Sequence, residues 1–229
     1  MSDTAEIRAI AHMRSDFSDK FGIPRQSGLV PELEGRIVFE GEYRAADALR
    51  GIEGFSRLWL IWQFSENLRE GWSPTVRPPR LGGNVRRGVF ATRSPFRPNS
   101  LGLSCVELCR VDYDAPDGPV LIVKGADLLD GTPIFDIKPY VPYSDSFPHA
   151  QGGFADKVER VTLTVDFPPE LELRVPEAKR AALRGVLACD PRPGYQHDAE
   201  RVYGLDFAGV NVRFTVDGDT LLVREVSAL

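Results

Sequence analysis

Residues 101–137 read LGLSCVELCRVDYDAPDGPVLIVKGADLLDGTPIFDI. Three short runs rich in Val, Ile, Leu and Phe stand in it, Leu101–Val111, Val120–Gly125 and Ile134–Ile137. Asp117-Gly118-Pro119 separates the first two, and Asp130-Gly131-Thr132-Pro133 precedes the third. Asp, Gly and Pro at such positions supply the bent backbone of tight turns, so the stretch reads as strands joined by turns. Working outward, Arg36–Glu40, Arg57–Phe64 and Gly88–Thr92 are likewise short and apolar-rich, and a short helix fits only at Ala45–Ile52. Many short strands with turn-rich spacing predict an all-β barrel or sandwich. The strand–helix alternation of a doubly wound sheet is missing.

Around Asp145–Asp156 the chain turns rich in Ser, Pro, Gly and charge, which predicts a linker. Beyond it Val161, Leu163, Val165 and Phe167 alternate with polar residues, as on a half-buried strand. Pro176–Cys189 has Pro in its first turn and an apolar face of Leu183, Val186 and Leu187, which predicts a helix ended by Asp190-Pro191. Val210, Val212, Phe214 and Val216 then alternate into Asp217-Gly218, and Leu221–Val226 follows, a hairpin about a tight turn. The expected organisation is a β-rich domain over residues 1–150 and a small α+β domain over residues 157–229.

With 229 residues the chain can bury a full core, and its net charge of −5 argues against a protein that coats nucleic acid. One segment runs against that background. Residues 69–97 hold seven arginines, no lysine and one acid, Glu70. Without them 21 basic side chains face 32 acidic ones, a balance of −11. Guanidinium is a planar fork suited to bidentate contact with phosphate or carboxylate, so an all-arginine loop rich in Pro and Gly points to a local anion site. Trp72 lies in this loop and is the candidate for stacking on a splayed base, whereas Trp59, Trp62 and Phe64 share one strand and read as core. Phe90 and Phe96 are expected to anchor the loop.

Several chemistries find no support. Gly83–Gly88 has the glycine spacing of a phosphate loop, but Val89 and Phe90 stand where Lys and Ser or Thr are required. The histidines His12, His149 and His197 lie far apart, and Cys105, Cys109 and Cys189 lack metal spacing, so no metal site is expected. Cys105 and Cys109 read as small buried strand residues. The polar start MSDTAEIR and the short longest apolar run, Leu58–Trp62, predict a cytoplasmic protein without a membrane span.

Arg77-Pro-Pro-Arg-Leu-Gly-Gly-Asn-Val-Arg86, Gly88-Val-Phe-Ala-Thr-Arg-Ser-Pro-Phe-Arg-Pro-Asn99, Asp130-Gly-Thr-Pro133 and Asp136-Ile-Lys-Pro-Tyr140 together resemble the TrmO family, formerly YaeB or TsaA-like. Pro24-Arg25-Gln26, Val186–Tyr195 and Asn211-Val-Arg-Phe214 extend the resemblance through most of the chain. It implies an antiparallel, non-Rossmann β-barrel, a small C-terminal domain and a homodimer. It further implies methyl transfer from S-adenosylmethionine to N6 of threonylcarbamoyladenosine beside the anticodon in tRNA. By match, Pro24, Arg25, Gln26, Ser65, Glu66, Arg93, Leu103, Asp130, Gly131, Thr132 and Pro133 are the expected cofactor contacts. Ser65-Glu66 departs from the His-Gln type pair that the family pattern implies, and Ser100-Leu101 stands where Pro-Ile is frequent.

Transfer to an amine needs alignment and a partner for the proton the nitrogen sheds. Asp136 and Asp130 are the candidates, with Tyr140 an orienting donor; the competing readings are a turn-stabilising Asp130 whose side chain caps its own backbone and a cross-strand pair of Asp136 with Lys138. A sulfonium repels guanidinium, so the arginines must divide. Arg25 and Arg93 fall to the cofactor, and Arg77, Arg80, Arg86, Arg87 and Arg97 to RNA, with Arg80 or Arg97 alternatively pairing with acids across the barrel. The rival functions are a non-catalytic RNA-binding barrel, and the same transfer to another RNA or a small anionic substrate.

Overall fold

The computed structural model describes residues 4–68, 71–78, 85–157, 162–193, 196 and 198–229. The strands are β1 (Ala11–Arg14), β2 (Glu34–Phe39), β3 (Arg57–Gln63), β4 (Thr75–Val76), β5 (Arg87–Gly88), β6 (Leu101–Asp112), β7 (Val120–Lys124) and β8 (Pro133–Pro139). Six of them close an antiparallel barrel in the order β1-β2-β7-β6-β3-β8, and β4 pairs with β5 in a separate ribbon. Closure rests on β1, which pairs with β8 through Ala11 opposite Ile134 and His12 opposite Pro133. This four-residue strand lacks the length and composition of its neighbours, and the sequence reading missed it. The all-β expectation thus resolves to a barrel, not a sandwich.

Alternation decides what fills the barrel. Leu58, Leu60 and Trp62 of β3 are buried while Arg57, Trp59, Ile61 and Gln63 are not. Met13, Ile37, Val106, Leu121, Val123 and Ile134 complete the same core. Trp62 fits because its partner on β6 is Gly102. A β-carbon at Gly102 would fall inside the contact distance of the indole ring. Overpacking of this kind costs about 1–3 kcal/mol. Gly102→Ala is therefore expected to lower the thermal midpoint by several degrees, read by calorimetry; an unchanged midpoint would contradict this packing.

Two sequence-predicted elements differ. The helix expected at Ala45–Ile52 is a pair of 3-10 turns, Ala46–Leu49 and Ile52–Gly54, separated by Gly51 at φ 86°. A left-handed residue there stops an α-helix. The strand expected at Gly88–Thr92 turns after Gly88 into a 3-10 turn, Val89–Ala91, capped by the Thr92 hydroxyl donating to the Val89 carbonyl (2.8 Å). Cys105 is half-buried as a strand residue, but Cys109 is exposed, because it falls on the outward parity of β6 with Leu103 and Glu107.

The rest of the chain builds a second layer pair. After α1 (Pro142–Asp145) come β9 (Thr164–Asp166), α2 (Pro169–Glu172), α3 (Glu177–Ala188), β10 (Tyr203–Phe207), β11 (Val210–Asp217) and β12 (Thr220–Ala228). The sheet order is β10-β11-β12-β9, with β9 parallel to β12. Pro176 sits at the start of α3, and Ala182, Leu183, Val186 and Leu187 bury its apolar face. The predicted helix and hairpin are both present.

One connection ties the two halves. The segment between β1 and β2 sends Phe17, Val30 and Leu33 into the core of the second unit. Phe17 meets Phe207 edge to face at 5.3 Å, and Phe21 stacks on Tyr203 at 6.4 Å. Lys179 on α3 pairs with Asp16 at 2.6 Å.

Candidate functional site

The motif Pro24-Arg25-Gln26 lies on this shared segment. Phe21 packs against the second core on one side of it, and Val30 is buried there on the other. The backbone is then pinned to the barrel: Gly28 N–H donates to the Gly125 carbonyl (2.8 Å), and Cys105 N–H to Ser27 Oγ (3.1 Å). Pro24 is buried, while Gln26 Oε1 accepts a hydrogen bond from Arg93, 67 residues away. Two motifs expected to share a ligand therefore touch. Arg25 donates to the Arg192 carbonyl (3.2 Å), and Arg192, itself buried, is held by both oxygens of Asp190 (2.9 and 3.0 Å). The second unit thus reaches the motif through residues that the sequence resemblance marked only as a collinear match.

Asp130–Pro133 form the turn that enters β8. Gly131 takes φ 76° and donates its N–H to the Met13 carbonyl (2.8 Å), and the Thr132 hydroxyl donates to the Leu129 carbonyl (2.8 Å). Asp130 accepts from Ser15 N–H (3.0 Å) and lies 3.5 Å from Arg14. Its carboxylate locks this turn to β1, as the turn-stabilising reading expects, but through Ser15 and not through its own backbone. Leu103 is 52% exposed on the outer face of β6. Ser65 and Glu66 occupy the 3-10 turn after β3, where the Glu66 carbonyl accepts from Lys20 (3.2 Å).

The reading of the sequence missed Asp127. Ser104, 1% exposed inside β6, donates from Oγ to Asp127 Oδ1 (2.6 Å) and accepts from the Trp62 indole N–H (3.0 Å). Burial pushes the Asp127 carboxyl above the ordinary aspartate range, against hydrogen bonds from Ser104, its own N–H and the Ser27 N–H and the positive charge of Arg93. A signal was present: Asp127 stands alone between apolar residues in Ala126-Asp127-Leu128-Leu129. A carboxylate in a buried run must have partners to be tolerated.

Asp136 forms an ion pair with Lys138 (2.9 Å), two residues along the same strand, and accepts from Ile137 N–H (2.9 Å). It lines a cavity of about 270 Å³ with Ile10, Phe39, Leu49 and Ile52. Its backbone pairs with Ile61, whose other neighbour is Leu103. Two strand spacings put Asp136 roughly 10 Å from Leu103 along one row. Tyr140 lies against the Trp59 ring, centroids 6.0 Å apart. No hydrogen bond described here joins Asp136 or Tyr140 to the Gln26–Arg93 pair.

The arginine loop is built on the β4–β5 ribbon, with Val76 opposite Arg87. Arg77, Arg86 and Arg87 are exposed at its mouth, and Arg80 lies outside the described residues. Among the described residues Arg97 pairs with no acid across the barrel; it donates to the carbonyls of Thr92 (3.0 Å) and Ser94 (3.4 Å), holding the loop's shape. Trp72 is 55% exposed and borders, with Asn67, Ser73, Phe96 and Arg97, a cavity of about 280 Å³. Phe90 does not anchor the loop: it is 73% exposed, its ring 6.1 Å from Trp72. Of the strand aromatics, Trp62 is core as expected, and Trp59 and Phe64 are half-buried.

Two family models match the chain: the tRNA-methyltransferase O N-terminal domain over residues 12–146, and the TrmO C-terminal domain over residues 160–229. A tRNA (adenine(37)-N6)-methyltransferase of Escherichia coli K12 is 43% identical over 220 residues, covering 92% of this chain and 93% of that protein. A Pseudomonas aeruginosa protein named as a candidate S-adenosylmethionine-dependent methyltransferase is 38% identical, covering 92% of each. The crystal structure of TrmO from Pseudomonas aeruginosa superposes with a TM-score of 0.80 at 32% identity, covering 98% of this chain and 99% of that one.

Proposed function

This chain belongs to the TrmO family, and we propose that it methylates N6 of adenine 37 in tRNA with S-adenosylmethionine as donor, acting on the threonylcarbamoyl form of that nucleoside. The observation that carries the site is the hydrogen bond between Gln26 and Arg93, which brings two separate motifs to one place on the barrel. The residues around it suit the donor's chemistry. Arg93 offers a guanidinium to a carboxylate, the exposed Leu103 offers an apolar surface to a purine, and the carboxylate of Asp130 offsets positive charge. Pro24, Arg25, Ser65, Glu66 and Gly131–Pro133 complete the proposed wall. When bound, S-adenosylmethionine supplies a methyl group already activated by its sulfonium.

The chain's own work is then orientation and proton handling. Asp136 is the proposed acceptor for the proton that the amine nitrogen sheds, which requires its carboxylate to exchange Lys138 for the substrate. Tyr140, seated against Trp59, is the proposed orienting donor. Trp72 and the exposed Arg77, Arg86 and Arg87 hold the anticodon loop, stacking supplied by the ring and phosphate contacts by the guanidiniums. Arg80 is assigned to the same surface by its motif.

Residues 1–150 are proposed as the catalytic domain and 157–229 as the smaller domain that braces its cofactor segment. A homodimer is supported by the outward row of Trp59, Ile61 and Leu103 beside the exposed Tyr143 and Phe147. Among the described residues no helix is long and apolar enough to cross a membrane, and no cluster of ligating side chains could hold a metal. A cytoplasmic site of action follows from the tRNA substrate. Two measurements test the reading: titration calorimetry with S-adenosylmethionine, and mass spectrometry of tRNA nucleosides from cells with and without the protein. Binding, together with loss of the methylated threonylcarbamoyladenosine in the deletion strain, is expected. Absence of binding would leave an RNA-binding barrel without catalysis.

A further inference from the structure

We infer that Asp127 is the positioning residue of the methyl-donor site: held by the hydrogen bond from Ser104, it fixes to the barrel the connection on which the Pro24–Gly28 segment is pinned. The inference rests on the proposed location of the donor beside Gln26 and Arg93. Four parts of the chain meet around this one residue. Ser104 Oγ donates to it at 2.6 Å from inside β6. The Gly125 carbonyl, two residues before it, accepts the Gly28 N–H at 2.8 Å and so ties the Pro24–Gln26 segment to the same connection, and Arg93 places its positive charge toward it. Its own backbone lies in the connection from β7 to the Asp130 turn.

The Ser104 end is rigid. Ser104 has one hydroxyl, which gives its proton to Asp127 and takes one from Trp62 Nε1 at 3.0 Å. Trp62 is 7% exposed, packed over Gly102 and against Phe64 with ring centroids 4.3 Å apart. The chain of donors runs one way, from indole to hydroxyl to carboxyl, so Asp127 inherits a fixed position from the barrel core. The Gly28 end is what that position controls. Ser27 receives the Cys105 N–H on its Oγ at 3.1 Å, so the loop is held at both its backbone and its side chain. Gln26 lies next to this anchor, and its carboxamide oxygen sets the place of Arg93. Asp127 thus connects an immovable aromatic core to two side chains that face the ligand. It touches neither the transferred methyl nor the acceptor in this role, which makes it a positioning and not a catalytic residue.

The test compares the full-length wild type with Asp127→Asn and Ser104→Ala. Asparagine keeps a carbonyl oxygen for Ser104 but loses the charge toward Arg93. Ser104→Ala leaves the carboxylate intact and removes its link to the core. Calorimetry with S-adenosylmethionine and with S-adenosylhomocysteine gives Kd for each, and amide hydrogen exchange at Gly28 and Cys105 reads the anchor without any ligand.

Both variants are expected to stay folded, to weaken both ligands about tenfold, the size expected when a hydrogen bond to a charged group is lost, and to speed exchange at Gly28. Equal weakening of the two ligands is the mark of positioning, because the second carries no sulfonium charge. KM for the donor is expected to rise with kcat little changed. Unchanged Kd in both variants would overturn the inference, as would weakening confined to S-adenosylmethionine, which would assign Asp127 to the charge. If Asp127→Asn fails to fold, Ser104→Ala alone decides by the same outcomes. A wild type that binds neither ligand would sink the donor site itself, a result distinct from variants that bind like the wild type.

Discussion

Arg93→Ala is expected to weaken S-adenosylmethionine by about ten- to a hundredfold while leaving the fold intact. Its guanidinium is exposed and bonded to Gln26, so its removal opens no core cavity. A hydrogen bond to a charged group contributes about 1.5–3 kcal/mol, which sets that range. Arg93→Lys should recover only part of the loss, since an ammonium keeps the charge but cannot bridge Gln26 and a ligand carboxylate with one planar fork. Calorimetry measures Kd for each, and a thermal scan checks that stability is unchanged. An alanine variant that binds like the wild type would remove Arg93 from the donor site. It would also strip the Gln26 contact of its functional meaning.

The second large effect concerns RNA. Combining Arg77→Ala, Arg86→Ala and Arg87→Ala is expected to lower tRNA affinity by at least about a hundredfold at low salt while sparing S-adenosylmethionine binding. Each phosphate contact contributes roughly 0.7–0.9 to the slope of log K against log salt, so three lost contacts should flatten the slope by about two. The three side chains are exposed around the β4–β5 ribbon and none is part of a described ion pair. Filter binding across a salt series reads both quantities. A preserved slope would mean that the arginines face something other than phosphate, and a small anionic substrate would then become the better reading. Arg97 is left out of the combination because its bonds to Thr92 and Ser94 shape the loop, and its loss would confuse folding with binding.

Much of the barrel was legible from residues 101–137, because strand alternation and the Asp-Gly turns are local properties. Closure was not. β1 has four residues, and what makes it a strand is pairing on both sides with β2 and β8, which no window of sequence contains. The same holds for the site. Motif matches put Gln26 and Arg93 on one list, but only the fold put them in contact. Arg97 looked like its arginine neighbours, yet its carbonyl partners lie five and three residues back in a loop whose path composition does not determine. Asp127 carried a real signal, a single acid in an apolar run, that attention to the neighbouring Asp130 motif obscured. Phe90 was misplaced for a simple reason: hydrophobicity predicts burial on average, and an exposed aromatic beside an arginine-lined surface is the exception that function selects.

The burial of Phe17, Val30 and Leu33 in the core of the second unit changes what the covalent connection between the halves is for. A strap from the first half is already woven into the second, so the cohesion of the two halves does not rest on the peptide linkage near residues 147–153 alone. That stretch is exposed and accessible to a protease. A molecule nicked there is expected to migrate as one species on a native column and to fall into two pieces only in denaturant. Separation under native conditions would show that the strap is too weak to hold. If it holds, the enzyme tolerates a broken chain better than a broken strap, and its tail is a clamp rather than an appendage.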